Sequence, residues 1–475
     1  MALRDWIRRV LSVVRGLVGL RPVHRPRLSG VETPEPPVGR PAPSGSKMAV
    51  PRAAQQAPGL PRETKEASTK PVVTIGLDYG TFSTKVLVRR RGDVKATLLR
   101  LDEATPGYPD FVFPSDVRIT GGRVFFGREA WSRNTGELYG SLKLDLIQPR
   151  GGNELTAGDL RRSQVGSEIL VAAYVSWVLQ LVKRELDRRF GEGAYRPYLN
   201  VAAPMDHIED DRRKERYLRV VAVAWSLVFQ ERSALLQGAE LSALGTIDVR
   251  LKTLSVPAIG ERLYEVLPEN LAALVSLAQL PRMVPGMYLV VDMGAGSTEL
   301  SINRVRPPHE DIPVLCYCDR SVLLGATSYG DPLRVRPTVE RLLNEARCTW
   351  GEGFEKVKGN FDETKAWRRM NILLAGGGTQ HPAVQPAFLR FRRQFFYVWA
   401  GDGTMNVERY QPEGIEHPGT DHNYFRNHSY LLAVAHGLSI ERQRWPEFYR
   451  PFEIKPAPPT PGAKKDYSWQ DDPGS

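Results

Sequence analysis

Cysteine is scarce in this chain of 475 residues, which has only Cys316, Cys318 and Cys348. So few thiols exclude a disulfide framework and suit a reducing compartment. Cys316 and Cys318 lie two apart in an expected strand and share a face, a placement that reads as packing rather than metal binding. No run approaches the roughly eighteen apolar residues of a transmembrane helix. The GxxxxGK[ST] signature of a Walker phosphate loop is absent. Positive charge is also sparse where nucleic acid would need it. The net charge is +11, but residues 1–70 hold thirteen Lys/Arg against five Asp/Glu and leave residues 71–475 with only +3. No nucleic-acid partner is therefore expected for the folded body.

The excess positive charge sits at the start. Leu3, Ile7, Val10, Val14, Leu17 and Val18 recur at helical spacing with Trp6 beside them, and Arg4, Arg8, Ser12 and Arg15 fall opposite. The pattern predicts a basic amphipathic helix over 1–20, whose residues 3–18 suit a membrane surface or a partner's groove. Its arginines break the apolar stretch that a secretory signal needs. Met48 offers a second initiator. Residues 21–70 carry ten prolines and no apolar period, so a disordered linker is expected there. The body spans 71–450, and 451–475, with Pro456, Pro458, Pro459 and Pro461, reads as a disordered tail. The expected location is cytoplasmic, peripheral to a membrane if the helix engages lipid.

Within the body, strands are expected at 72–77, 84–90, 96–101 and 123–126, then a helix at 163–190. A strand at 198–203 and helices at 209–229 and 269–280 follow. After these come strands at 287–291 and 298–304, a helix at 337–348, a strand at 371–374, and helices at 383–397 and 429–442. Strands then helices, followed by the same order again, predict a duplicated α/β arrangement. The first unit would occupy 71–286 and the second 287–450.

Two segments stand out: Ile75-Gly-Leu-Asp-Tyr-Gly-Thr81 and Val290-Val-Asp-Met-Gly-Ala-Gly-Ser-Thr-Glu299. Each is an apolar run that ends in Asp, turns through Gly and finishes on a hydroxyl. Glycine permits the tight turn, successive N–H groups can cradle phosphate oxygens, and the Asp can hold a hydrated Mg²⁺. Each loop leads into another β-run rather than a helix, which disfavours a dinucleotide-binding Rossmann unit. Two such loops suggest a phosphate clamp closed from both sides.

Asp78-Tyr-Gly-Thr-Phe-Ser-Thr-Lys85 resembles the first phosphate loop of the actin-like ATPase superfamily, and Asp292-Met-Gly-Ala-Gly-Ser-Thr-Glu299 resembles the second. Asn371-Ile-Leu-Leu-Ala-Gly-Gly-Gly-Thr-Gln-His-Pro382 resembles its adenosine loop. Within that superfamily the chain is most similar to the nucleotide-binding domain of DnaK-type heat-shock chaperones. Pro114-Ser115 with Val124-Phe-Phe-Gly-Arg-Glu-Ala130 is similar to an early β-segment of those proteins, and Ser141-Leu-Lys-Leu144 to the segment bearing their catalytic lysine. Val201-Ala-Ala-Pro204 with Arg212 resembles the first connecting segment, Pro268-Glu-Asn-Leu-Ala-Ala273 the family's Glu-Pro-Thr-Ala-Ala helix start, and Leu431 to Gly437 the second connecting helix, in family order.

The resemblance, which covers 72–442, implies a duplicated, two-lobed actin-like (ribonuclease H-like) α/β fold with ATP in the cleft. It implies that Asp78 and Asp292 hold Mg²⁺ through water. Gly80, Thr81, Gly294, Gly296 and Ser297 would then contact the β- and γ-phosphates, and Gly376, Gly377 and Gly378 would leave room for adenosine. Lys143 would act on the γ-phosphate or the attacking water, Glu269 would orient that water, and Asp292 would join them in catalysis. The chain departs from the pattern in four places. Gln380 replaces a basic residue near adenine, Leu431 and Leu432 replace acidic residues, and only about forty-five residues separate Gly325 from Asn371, where the family has a longer insertion. About thirty residues follow the last matched helix, too few for the chaperone's substrate-binding domain.

The expected function is a slow Mg²⁺-dependent ATP hydrolase, a DnaK-like switch whose ATP and ADP states are read by an unidentified protein partner. Three alternatives stand beside it. A small-molecule kinase of the same superfamily would need a carboxylate base, for which Asp206, Asp210 and Asp211 are candidates. The others are an actin-like filament or scaffold, and a pseudo-ATPase that binds without turnover. His417, Asp421, His422 and His428 share a polar loop whose spacing fits no zinc pattern, and the aromatic-basic run 388–399 reads as one packed helix face.

Overall fold

The computed structural model describes residues 70–99, 109–147, 165–204, 210–233, 235, 237–258, 261–278, 285–306, 314–325, 332–357, 367, 370–390, 406–445 and 448–449. The expected N-terminal helix, the linker up to residue 69, the tail 451–475 and Asp206 lie outside them.

The chain opens as a meander of β1 (Val72–Tyr79), β2 (Ser83–Arg90) and β3 (Ala96–Leu98). A small region follows: β4 (Phe113–Pro114), β5 (Val117–Thr120), β6 (Arg123–Phe126), α1 (Gly127–Ser132), β7 (Glu137–Tyr139) and α2 (Leu142–Ile147). Then come α3 (Ser167–Phe190), β8 (Arg196–Ala203), α4 (Asp211–Trp225), β9 (Ala239–Glu240), α5 (Ala243–Thr253), β10 (Tyr264–Pro268) and α6 (Glu269–Ala278). A second meander, β11 (Gly286–Met293), β12 (Thr298–Val305) and β13 (Val314–Val322), leads to α7 (Pro332–Val357) and β14 (Met370–Ala375). The rest comprises β15 (Asn406–Arg409), β16 (Ile415–Glu416), α8 (His422–His428), α9 (Ala433–Leu438) and β17 (Phe448–Tyr449).

This is a mixed α/β structure with two large sheets that share one strand order. The first runs β10-β8-β1-β2-β3-β16 and the second β15-β14-β11-β12-β13-β17. In each, the meander is antiparallel, one later strand joins its first strand in parallel, and a second adds in parallel beyond that one. A four-stranded sheet, β7-β5-β6-β9, stands apart from both.

Every residue of β1 and of β11 is buried, as expected of strands covered on both faces. Side chains alternate across a strand, so each strand serves two cores. Val73, Ile75, Leu77 and Tyr79 enter a core with α3, α4 and α5, while Met287, Leu289, Val291 and Met293 enter one with α7. The remaining faces turn toward a shared middle layer of α6 and α9, where Leu274 and Val275 meet Val290, Leu373 and Leu438. The layers thus stack as helices, sheet, helices, sheet, helix. Asp78 and Asp292 fall on the alternate positions of β1 and β11, so both project toward the middle layer.

Two glycines make this middle layer possible. A Cβ at Gly76 would sit 2.4 Å from the Ala435 carbonyl oxygen, and one at Gly437 would sit 1.8 Å from that of Ala272. Strand β1 therefore touches α9 backbone to backbone, and α9 crosses α6 in the same way. A buried polar chain ties the layers together. The Arg89 guanidinium on β2 donates to His436 Nε2 at 2.9 Å, and Arg89 also contacts Ser439 Oγ at 3.4 Å. Because arginine only donates, Nε2 accepts and Nδ1 carries the proton, donating to Ser276 Oγ at 2.7 Å. Ser276 shares a further hydrogen bond of 2.7 Å with Tyr410 OH, and Tyr410 N donates to Leu374 O of β14. Burial, then Arg89, pushes His436 down to about 3, so it stays neutral in this chain of contacts.

Some elements differ from the sequence expectation. The helix expected over 429–442 is broken into a 3₁₀ turn at Ser429–Leu432, the short α9 and another turn at Arg442–Arg444. The one expected over 209–229 is α-helical only from Asp211 to Trp225 and closes as a π turn at Ser226–Gln230. Helix α7 is longer than the expected 337–348. Of the expected helix 383–397, residues 384–390 are described and helical. Among the described residues, no helix is long and apolar enough to cross a membrane.

Candidate functional site

Both glycine loops fold as the same kind of hairpin turn. Tyr79 pairs with Thr84 and Met293 with Thr298, leaving four residues between the paired positions in each case. Gly80 N donates to Ser83 O at 3.1 Å, and Gly294 N donates to Ser297 O at 2.9 Å. A Cβ on Gly80 would lie 2.6 Å from the Ser83 carbonyl oxygen, so this turn needs glycine. Gly325 backs the second loop, since a Cβ there would meet the Ala295 carbonyl oxygen at 2.2 Å.

The register of the first hairpin adds a residue that motif reading passed over. Asp78 lies opposite Lys85, and Lys85 Nζ donates to Asp78 Oδ2 at 3.0 Å with both groups largely buried. Opposed residues in an antiparallel pair share a face, so counting back from the turn would have predicted this contact.

Lys143 comes from the first turn of α2, entered through Ser141 at φ 60°, a left-handed conformation uncommon for residues with side chains. Its ammonium is 4% exposed and donates to Glu269 Oε1, the first residue of α6. Burial works against that charge, but the Glu269 carboxylate, with Tyr217 and Asp78, outweighs it and holds Lys143 above the usual lysine range. Asp292 is in the opposite position. Burial, followed by the Glu269 and Asp78 carboxylates, pushes it up to about 7 against the pull of Lys85 and Lys143. With Asp292 ionised, the three carboxylates outnumber the two ammoniums, and a cation would relieve that excess. Among the described residues, no three His, Cys, Asp or Glu side chains converge as direct metal ligands. Asp78 and Asp292, which both line the cavity, are the carboxylates that could hold a hard cation there.

The third glycine segment follows β14, which runs parallel to β11 and places Ala375 beside Asp292. Gly376 has φ 80°, and a Cβ on it would lie 2.4 Å from Asp292 Oδ1. A Cβ on Gly378 would strike the Met293 side chain at 2.2 Å. These groups meet in one cavity of about 540 Å³. Asp78, Gly80, Thr81, Lys85, Lys143, Glu269, Asp292, Gly294, Ser297, Gly376, Gly377 and Gly378 all line it. Gly296 belongs to the second loop but is not in the lining. A more open depression of about 640 Å³ lies on the small sheet around Arg123, Phe125, Glu129 and Arg133, and it gathers no comparable set of groups.

The other candidates are elsewhere. Asp210 caps α4, accepting from Arg212 N at 2.9 Å and Arg213 N at 3.1 Å, and neither it nor Asp211 lines the cavity. His417 stacks on Phe425 at 4.1 Å, and Asp421 caps α8 by accepting from Tyr424 N. Cys316 and Cys318 are buried and free of disulfides, and Cys318 Sγ donates to Glu352 Oε2 at 3.3 Å.

The electrostatics of the site predict a pH dependence. Asp116 is also pushed up to about 7, chiefly by burial, against the hydrogen bond it accepts from Trp131. A carboxyl with a raised folded-state pKa keeps its proton in the folded protein after the unfolded chain has released it. The stability it contributes is full below the unfolded value of about 4 and is lost as pH rises through about 7. The melting temperature of the ligand-free protein should therefore fall by on the order of a few degrees between about pH 5 and pH 8. Asp116→Asn and Asp292→Asn should each flatten part of that slope in calorimetric scans, and a rising slope would contradict the assignment.

No protein-family model matches the chain, and no curated protein matches its sequence.

Proposed function

We propose that the protein binds a nucleoside triphosphate in this cavity and hydrolyses it slowly, as a two-lobed, actin-like ATPase switch related in design to DnaK-type chaperones. One observation carries the reading. Two sheets of the same strand order each end their central strand in an Asp and a glycine hairpin, and both hairpins line one cavity with a buried lysine-glutamate pair.

In this reading Thr81 and Ser297 turn N–H and hydroxyl donors toward phosphate oxygens from opposite sides, while Gly80 and Gly294, whose own N–H groups close the turns, let the backbone come close. Lys85 and Lys143 neutralise the charge that phosphoryl transfer spreads over those oxygens. Glu269, fixed by Lys143, orients the attacking water. Water oxygen bonds to the γ-phosphorus as the bond to the β–γ bridging oxygen breaks, giving ADP and phosphate. Asp78 and Asp292 would hold Mg²⁺ through its water shell, and the ion would supply charge neutralisation there. Rotation of one sheet against the other about the α6–α9 crossing would present the nucleotide state to a protein partner.

Calorimetric titration of the full chain with Mg·ATP, followed by product analysis, tests the proposal. Saturable binding with slow release of ADP and phosphate is the expected result, and no binding overturns it. Binding without any product would leave a nucleotide sensor and remove the hydrolase. Turnover that depends on an added sugar or other hydroxyl acceptor would favour a kinase, for which Asp210 and Asp211, outside the cavity, give no support.

A further inference from the structure

The charged groups and glycine hairpins occupy only part of the cavity. Elsewhere its lining changes character to Pro109, Val112, Gln380, Tyr424, His428 and Tyr430. We propose that the three aromatic rings of residues 424–430 form a stacking platform for the base of a purine nucleotide. The proposal rests on the triphosphate reading above and extends it to the part of the ligand that distinguishes one nucleotide from another.

The platform is built by rigid neighbours. Tyr424 and His428 are one helical turn apart on α8 and pack with ring centroids at 4.4 Å, and Tyr430 follows with its ring 6.5 Å from His428. His428 Nδ1 lies 2.8 Å from Tyr424 O, which fixes the imidazole and gives Nδ1 the proton. The adjoining face of α8 is anchored by buried Phe425, stacked on His417 and 5.9 Å from Phe111. Thr420 Oγ1 donates to Asp110 Oδ2 at 3.4 Å, holding the start of this segment beside the Pro109–Val112 side of the cavity.

Tyr424 is nonetheless 38% exposed, among the few large apolar side chains of the described residues left in that state. The rings are tilted by 36° and 32° to one another, so the partly exposed Tyr424 ring presents an aromatic face continuous with a phosphate-binding pocket, the chemistry a nucleobase recognises. A purine covers more of such a surface than a pyrimidine. Gln380, on the turn after Gly376, brings an amide able to donate and accept at the base edge.

The test compares Mg·ATP, Mg·CTP and Mg·tripolyphosphate on the full chain by calorimetry, in the wild type and in Tyr424→Ala/His428→Ala. The wild type should bind ATP more tightly than CTP and far more tightly than tripolyphosphate. The double variant should lose on the order of tenfold in ATP affinity, with tripolyphosphate binding unchanged. Tyr424→Phe, which keeps the ring, should bind ATP as the wild type does. Equal wild-type affinity for ATP and tripolyphosphate, or equal losses for both ligands in the variant, would overturn the platform while leaving a phosphate-binding cleft. Failure of all three ligands to bind the wild type would overturn the triphosphate reading as well.

Discussion

Lys143→Met is expected to cost about 3–5 kcal/mol of stability, because it strips a buried carboxylate of its partner. It should also slow ATP turnover by roughly two to three orders of magnitude, the scale on which a preorganised cation or donor acts on a transition state. The two effects are separable. Glu269 sits 12% exposed beside Asp78 and Asp292, so losing the lysine leaves three carboxyls around one cavity facing Lys85 alone. Neutralising the orphan as well, in Lys143→Met/Glu269→Gln, should return most of the lost stability, since removing both members of a buried pair is far milder than removing one. Turnover should remain at the low level of the single variant. Denaturant midpoints combined with single-turnover hydrolysis would check both. Activity that recovers together with stability would mean the lysine serves only the fold.

Gly437→Val should damage the fold severely, through a backbone clash rather than a lost ion pair. Even the first carbon of a side chain would be placed 1.8 Å from the Ala272 carbonyl oxygen and 2.6 Å from its carbonyl carbon. Both are backbone atoms of α6, so no rotamer change relieves the clash and the helices must separate. The middle layer is packed from both sides, and its separation opens voids beneath both sheets. A loss above about 4 kcal/mol is expected, in the range reserved for severe core lesions. Gly437→Ala should show most of it. Thermal melting of the purified variants gives the measurement, and near-wild-type melting of Gly437→Val would show that the helices do not cross at this point.

What was legible in the sequence was local. The two hairpins announce themselves because strand, Asp, Gly and hydroxyl lie within ten residues of one another, and the third glycine segment does so for the same reason. Lys85 was equally local and went unread, because it is found by hairpin register rather than by motif. The strand expected around Cys316 and Cys318 is β13, but its bounds were hidden because Asp319 and Arg320 interrupt its apolar run and a bulge near Ile302 and Asn303 shifts its pairing with β12. The break-up of the expected 429–442 helix was hidden because its cause is distant. Backbone contacts with β1 and α6 hold Ala435 and Gly437 against their neighbours, and nothing in the helix's own periodicity records them. The cavity wall that carries the aromatic rings joins residues 109–112 to residues 424–430, a closure that no window along the chain contains.

The alternation of β1 and β11 also bears on which changes to the gene the protein can absorb. Deleting one residue between Val72 and Asp78 would exchange the two faces of the strand upstream of the hairpin, pointing apolar side chains at the middle layer and Gly76 at the outer core. Deleting two would restore the faces and merely shorten the strand. Strand β1 is thus subject to parity: an even number of deleted residues keeps the faces of the strand behind Asp78 as they are, and an odd number exchanges them without altering a single functional residue.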